Sequence, residues 1–156
     1  MVIALLLRGT IAAISMPKFS SDPDAYRAIA ETLAQTGVYG LTDARGEGRP
    51  TAFRPPLYPY LLSWITTGGR LSNLAVAALH TLLGVGTIAL TFLAGRRLLG
   101  PSYPTGTSVV AASLVAIDPI LVQQSTWVMT ETLATTLAIA VIWYWSVQDE
   151  LPLGRT

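Results

Sequence analysis

The sequence predicts an all-α integral membrane protein of about four transmembrane helices, with one large polar loop after the first helix. Three observations predict it. The chain is 51% hydrophobic and only 12% charged, whereas a soluble domain carries about 25% charged residues. Three stretches, residues 1–16, 74–94 and 105–147, are apolar enough for a bilayer. Most of the acids and bases fall in the segment left over, about 17–72.

The first stretch reaches about 24 Å at ~1.5 Å per residue, short of the roughly 20 residues a span requires. It differs from a secretory signal peptide, because Arg8 lies inside the apolar run with no basic region before it, and no clear cleavage site precedes Pro17. It reads as a short span, and a natural start upstream of Met1 would lengthen it.

The loop comes next. Within it, residues 22–35 predict an amphipathic helix: Asp22 suits the N-cap, Pro23 the first helical position, and Asp24 the first turn. Tyr26, Ile29, Ala30 and Leu33 recur at helical spacing, and Gly37 suits the C-terminal αL position. Residues 42–51, rich in Gly, Asp and Arg, predict a mobile loop. After the helix-blocking Pro55-Pro56, residues 57–65 carry Tyr58, Tyr60 and Trp64, the residue types of a membrane–water interface.

The second span, 74–94, contains His80, the only histidine, and is followed by Arg96-Arg97. Those two arginines argue for a cytoplasmic second loop, while the raw count of bases argues the reverse for the first loop, so charge alone leaves orientation open. The tract 105–147 is about twice a span. It divides into 105–122 and 127–147 at the polar break from Asp118-Pro119 to Gln123-Gln124-Ser125. In a zigzag path Asp118, Glu131 and the large loop all emerge on one side.

Several residues could carry chemistry, and each has a plainer reading. Asp22 and Asp24 could accept a proton or share a divalent cation, or simply cap a helix. Arg54 could pair with a phosphate, or be an ordinary interfacial arginine. His80 could face a cavity, or be a hydrogen-bonded residue near a span end. Glu131 could join them, or complement the dipole of the last helix. Cysteine is absent, which excludes disulfides and thiolate chemistry. No basic patch interleaved with aromatics points to nucleic acid, and the nucleotide-binding and nucleophile-elbow motifs are missing.

Taken in order, Leu7-Arg8, then Asp22-x-x-x-Tyr26-x-x-Ile29-Ala30-x-x-Leu33-x-x-x-Gly37-x-Tyr39, then Arg54-Pro55-Pro56-Leu57-Tyr58-Pro59, then Asp118-Pro119 and Thr130-Glu131-Thr132-Leu133 resemble GT-C membrane glycosyltransferases. Within that class they most resemble the bacterial relatives of dolichyl-phosphate-mannose-protein mannosyltransferases. The resemblance covers nearly the whole chain. It implies a loop outside the bacterial inner membrane, a polyprenyl-phosphate-linked sugar as donor, and an inverting transfer. Asp22 would be the catalytic base, with Asp24, Tyr26, Arg54, Tyr58, His80 and Glu131 around the substrate. The acid usual directly after the essential Asp is Pro23 here, which leaves a paired role for Asp24 in doubt. Members of the family have many more helices, so the resemblance implies that this chain is an N-terminal fragment, a split-gene product or a shortened relative. Its partners would be membrane lipids and the missing C-terminal part or another membrane subunit. The rival expectation is a non-catalytic membrane subunit or decayed fragment that binds a lipid or a partner. A small transporter fits less well, because the spans lack buried charged pairs and Gly/Pro-broken helices.

Overall fold

The computed structural model describes residues 2–148. Met1 and the terminal residues 149–156, on which the expectations about the start and the truncated end fall, lie outside the described residues. The fold is mostly helical, at 69%. In chain order it comprises α1 (Val2–Ile14), a 3-10 turn (Met16–Ser20), α2 (Tyr26–Thr36), β1 (Gly40–Thr42) and β2 (Gly48–Pro50). Then come α3 (Leu57–Trp64), α4 (Asn73–Leu99), α5 (Thr105–Ile117), the short α6 (Pro119–Gln124) and α7 (Glu131–Gln148).

Helix α4 is the hub, with α1, α5 and α7 packed around it. Its 27 residues extend about 40 Å, and among the described residues it is the one helix long and apolar enough to cross a membrane. Ser72 caps its start by accepting from the Ala75 amide at 3.0 Å, and Arg96 and Arg97 occupy its last turn, where the helix dipole favours cations. Its contacts use small or hydroxylated residues. A side chain at Gly95 would come within 3.1 Å of Ser108 Oγ, and Thr87 and Thr136 share a 2.9 Å hydrogen bond. Small residues and hydroxyl pairs are the means by which helices approach closely in lipid. Large apolar side chains point outward instead, among them Ile3, Leu82, Leu114 and Trp145.

Four details differ from the sequence expectations. The predicted continuous span 105–122 breaks at Asp118. Pro119 has no amide to donate to the helix and drives the residue before it into extended backbone, and Asp118 then caps α6 through the Leu121 amide at 2.8 Å. The last helix begins at Glu131 rather than 127, because residues 125–130 are occupied by turns.

The predicted helix 22–35 begins only at Tyr26. Residues 22–25 turn, with the Ala25 amide donating to the Asp22 carbonyl at 3.2 Å and Ala25 itself left-handed at φ 60°. Alanine in that region costs about 1–2 kcal/mol, while glycine gives back roughly 0.4–1 kcal/mol through unfolded-chain entropy. Ala25→Gly is therefore expected to stabilise the protein by about 0.5 kcal/mol. A lower unfolding midpoint for the variant would contradict this.

The fourth difference is the loop expected over 42–51, which is a β-hairpin. Gly40, Leu41 and Thr42 pair antiparallel with Pro50, Arg49 and Gly48, so the fold is not purely α. Asp43 organises the turn: its Oδ1 accepts from the Arg45 and Glu47 amides at 2.9 and 3.1 Å, and its Oδ2 accepts from Arg49 Nε at 2.8 Å. The Arg49 guanidinium first, then those amides, hold its carboxyl below the usual range. A depressed folded pKa means that the carboxylate supports the turn above about pH 3.9, the unfolded value. That support is lost as pH falls through the lower folded value. In an NMR titration the Arg45 and Glu47 amide shifts should move together with a midpoint below that of a free Asp. A midpoint at or above the free value would contradict the turn geometry.

A polar site at the loop end of the bundle

The first-loop elements fold onto the end of the bundle where α1 finishes and α4 and α7 begin. Tyr58 is at the centre, 1% exposed. The sequence places it there because Leu57, Tyr60 and Trp64 of α3 face outward while Tyr58, Pro59 and Leu62 face in. Its ring meets that of Tyr26 edge-on at 5.3 Å, and its hydroxyl lies 2.7 Å from His80 Nε2. His80 Nδ1 lies 3.0 Å from the Ser125 carbonyl. A carbonyl only accepts, so Nδ1–H donates, and in the neutral ring Nε2 accepts from the Tyr58 hydroxyl. His80 is thus a fully buried link from α3 through α4 to the turn before α7, two helical turns in rather than at a span end. Burial raises the Tyr58 phenol well above its ordinary pKa; the charges of Asp22 and Glu131 add to the rise and Arg27 opposes it. Both acids therefore act electrostatically on the same phenol.

Tyr26 connects the loop to α7, with its hydroxyl 3.4 Å from Thr130 Oγ1. Arg54 lies over the Tyr26 ring at 5.4 Å and over Phe53 at 4.2 Å, within cation–π range. It donates from Nε to the Asp24 carbonyl at 2.9 Å and from Nη2 to the Asp24 carboxylate. The Arg54 carbonyl accepts from the Tyr39 hydroxyl at 2.8 Å, and Tyr39 stacks on Tyr60 at 5.8 Å. Burial raises the Tyr39 phenol too, with Tyr26 and Tyr60 adding to the rise. Arg54 is thereby braced by an aromatic cluster, and its guanidinium is already engaged by an acid.

Asp22 is a capping residue of unusual reach. Its Oδ1 accepts from the Arg27 amide at 3.1 Å and its Oδ2 from the Ala28 amide at 2.9 Å, so one carboxylate serves two of the orphan amides of α2. The turn at Ala25 makes this geometry reachable from three residues before the helix cap. Asp22 and Asp24 do not act as a pair, since one faces backbone amides and the other a guanidinium. Among the described residues no three His, Cys, Asp or Glu side chains converge on a metal-sized space.

Two arginines matter more than the sequence indicated. Arg27 donates to the Leu71 and Phe19 carbonyls, to Asn73 Oδ1 at 2.8 Å, and lies 3.7 Å from Glu31. It clamps α2 to the start of α4, and a lone base on the polar side of an amphipathic helix gives little sign of that. Arg8 is 4% exposed and donates to the Leu121 and Val115 carbonyls at 3.0 and 3.2 Å and to Ser125 Oγ at 3.3 Å. Its position inside an apolar run was the available signal. Glu131 and Arg8 both line one small cavity, separate from the Arg54 cluster. An apolar groove of about 440 Å³ runs between α1, α4 and α5, lined by Leu7, Ile88, Phe92, Ala112 and Ile117 among others. Comparison of the chain with protein families, curated proteins and solved structures finds no match in any of the three.

Proposed function

We propose that this chain is the N-terminal part of a membrane glycosyltransferase of GT-C type that takes its sugar from a polyprenyl-phosphate donor. In this proposal α1, α4, α5 with α6, and α7 are four membrane segments, and the first loop lies outside the inner membrane. One observation carries it above the others: Asp22, Asp24, Tyr26, Arg54, Tyr58 and His80, together with the α7 start, gather at one end of a bundle with an apolar exterior. The apolar groove along α1 has the chemistry to receive a polyprenyl chain.

In the proposed reaction Asp22 takes the proton of the acceptor hydroxyl as its oxygen bonds to the anomeric carbon. The bond from that carbon to the phosphate oxygen breaks, and polyprenyl phosphate departs with the electron pair. Arg54 offsets the charge that develops on the phosphate, which exchanges with Asp24 on the guanidinium. Asp22 retains lone-pair directions beyond the two its helix uses, since a carboxylate offers about four acceptor sites.

The experiment is transfer of labelled hexose from a polyprenyl-phosphate donor in membranes containing the chain, with Asp22→Asn alongside. Wild type should transfer, and the variant should be slower by about 10²–10⁴-fold, the usual contribution of a positioned base. Equal rates would remove Asp22 from the chemistry.

A second reading, a non-catalytic membrane subunit that binds a lipid or partner, is favoured by a specific observation. Both oxygens of Asp22 cap α2 and Asp24 occupies Arg54, an arrangement complete without a substrate. It predicts no transfer by either protein, with donor lipid still retained.

A further inference from the structure

Three residues that line one cavity each carry a buried polar atom without a hydrogen-bond partner: Arg8 Nε, Glu131 Oε2 and Thr132 Oγ1. Arg8 is 4% and Thr132 7% exposed, so bulk water does not serve them. The cavity lies between α1, α4, α6 and α7, with Thr87, Leu121 and Gln124 completing its walls. Its volume is about 20 Å³, and a single water needs roughly 10–15 Å³ measured in this way. No ion pair joins Arg8 to Glu131 among the described residues. Unsatisfied buried polar atoms cost about 1–3 kcal/mol each, so one polar group shared by these three would stabilise the fold.

The chemistry of the walls restricts that group. Arg8 Nε–H can only donate, and an ionised Glu131 oxygen can only accept. An anion would meet the carboxylate, and a cation would meet the guanidinium. A neutral group that accepts from one and donates to the other satisfies both, and a hydroxyl is the smallest that does. Thr132 can then take either role through its rotating O–H. We infer that this cavity is a binding site for one hydroxyl, supplied by a water molecule or by the end of a polyol, bridging Arg8 of α1 to Glu131 and Thr132 of α7. The bridge couples the first helix to the last across α4, independently of any glycosyl transfer.

Two measurements test it on the full chain. In an experimental structure from lipid at about 2 Å or better, one oxygen-sized peak should lie ~2.6–3.2 Å from at least two of the three atoms. An isolated peak identifies water, a peak continuous with a larger molecule identifies a polyol hydroxyl, and either supports the site. An empty cavity, or Arg8 and Glu131 in direct contact, overturns it. Thr132→Val provides a test by sign. If the hydroxyl is bridged, the near-isosteric valine lowers the unfolding midpoint by about 2–4 °C, the shift expected for ~1 kcal/mol in a chain of this size. If the cavity is dry, valine removes an unsatisfied group, and an unchanged or higher midpoint contradicts the site.

Discussion

Arg8→Met is expected to destabilise the protein by about 3–5 kcal/mol, since two carbonyls and a hydroxyl in the interior lose a charged donor at once, at ~1–3 kcal/mol each. Arg8 directs its guanidinium at the Val115 and Leu121 carbonyls, which lie in the last turns of α5 and α6. The Val115 carbonyl has no backbone partner four residues on, because that residue is Pro119, whereas the Leu121 carbonyl already accepts from the Ser125 amide at 3.2 Å. One side chain from α1 thus closes the end of α5 and ties it to α6 and Ser125. Its stem lies over Gly84 of α4, where an added Cβ would meet it at 3.5 Å, so alanine is tolerated there but a larger residue displaces the arginine. Arg8→Lys keeps the charge and loses the planar fork, and should recover only part of the loss. Unfolding in mild detergent compares the three proteins. Equal midpoints for wild type and Arg8→Met would show that the clamp contributes nothing.

His80→Phe should cost about 2–4 kcal/mol, since two buried groups lose their partner at once. Phenylalanine keeps the edge contact with Phe19, whose ring lies 5.9 Å away, but it offers neither an acceptor to the Tyr58 hydroxyl nor a donor to the Ser125 carbonyl. Tyr58→Phe alone should cost less, about 1–2 kcal/mol, because it strands only His80 Nε2. The double variant should lose less than the sum, with a coupling of about 1 kcal/mol. Additive losses would mean that the 2.7 Å contact between the two side chains contributes no energy of its own.

The helices were legible where periodicity and caps agreed, and less so where one residue redirected the chain. The apolar tract that becomes α4 reads directly from its run of aliphatic residues between Ser72 and Arg96-Arg97. The buried face of α2 follows from Tyr26, Ile29 and Ala30 at helical spacing, although the helix starts late. Asp22 signalled a cap correctly, but spacing could not show that a left-handed alanine would let it cap from outside the helix. The hairpin was hidden because Gly-, Asp- and Arg-rich sequence suits both a tight turn and an open loop. What selects the turn is the Asp43 carboxylate, which engages two amides and Arg49 together. At the site, the zigzag path anticipated that the first loop and the start of α7 share one end. It could not anticipate that Asp24 would be spent on Arg54, or that Arg8 would reach the ends of α5 and α6. Those outcomes depend on pairings between residues 30 and more than 100 positions apart, which no local pattern encodes.

The absence of cysteine makes the proposed membrane arrangement open to a clean measurement. A single cysteine at Ala44, in the hairpin turn, and another at Ser102, between α4 and α5, lie at opposite ends of α4. With a membrane-impermeant maleimide on intact bacteria, Ala44→Cys should label at once and Ser102→Cys only after the membrane is permeabilised. Labelling of Ser102→Cys with protection of Ala44→Cys, or equal labelling of both in intact cells, would contradict a bundle that crosses the inner membrane with its polar site outside.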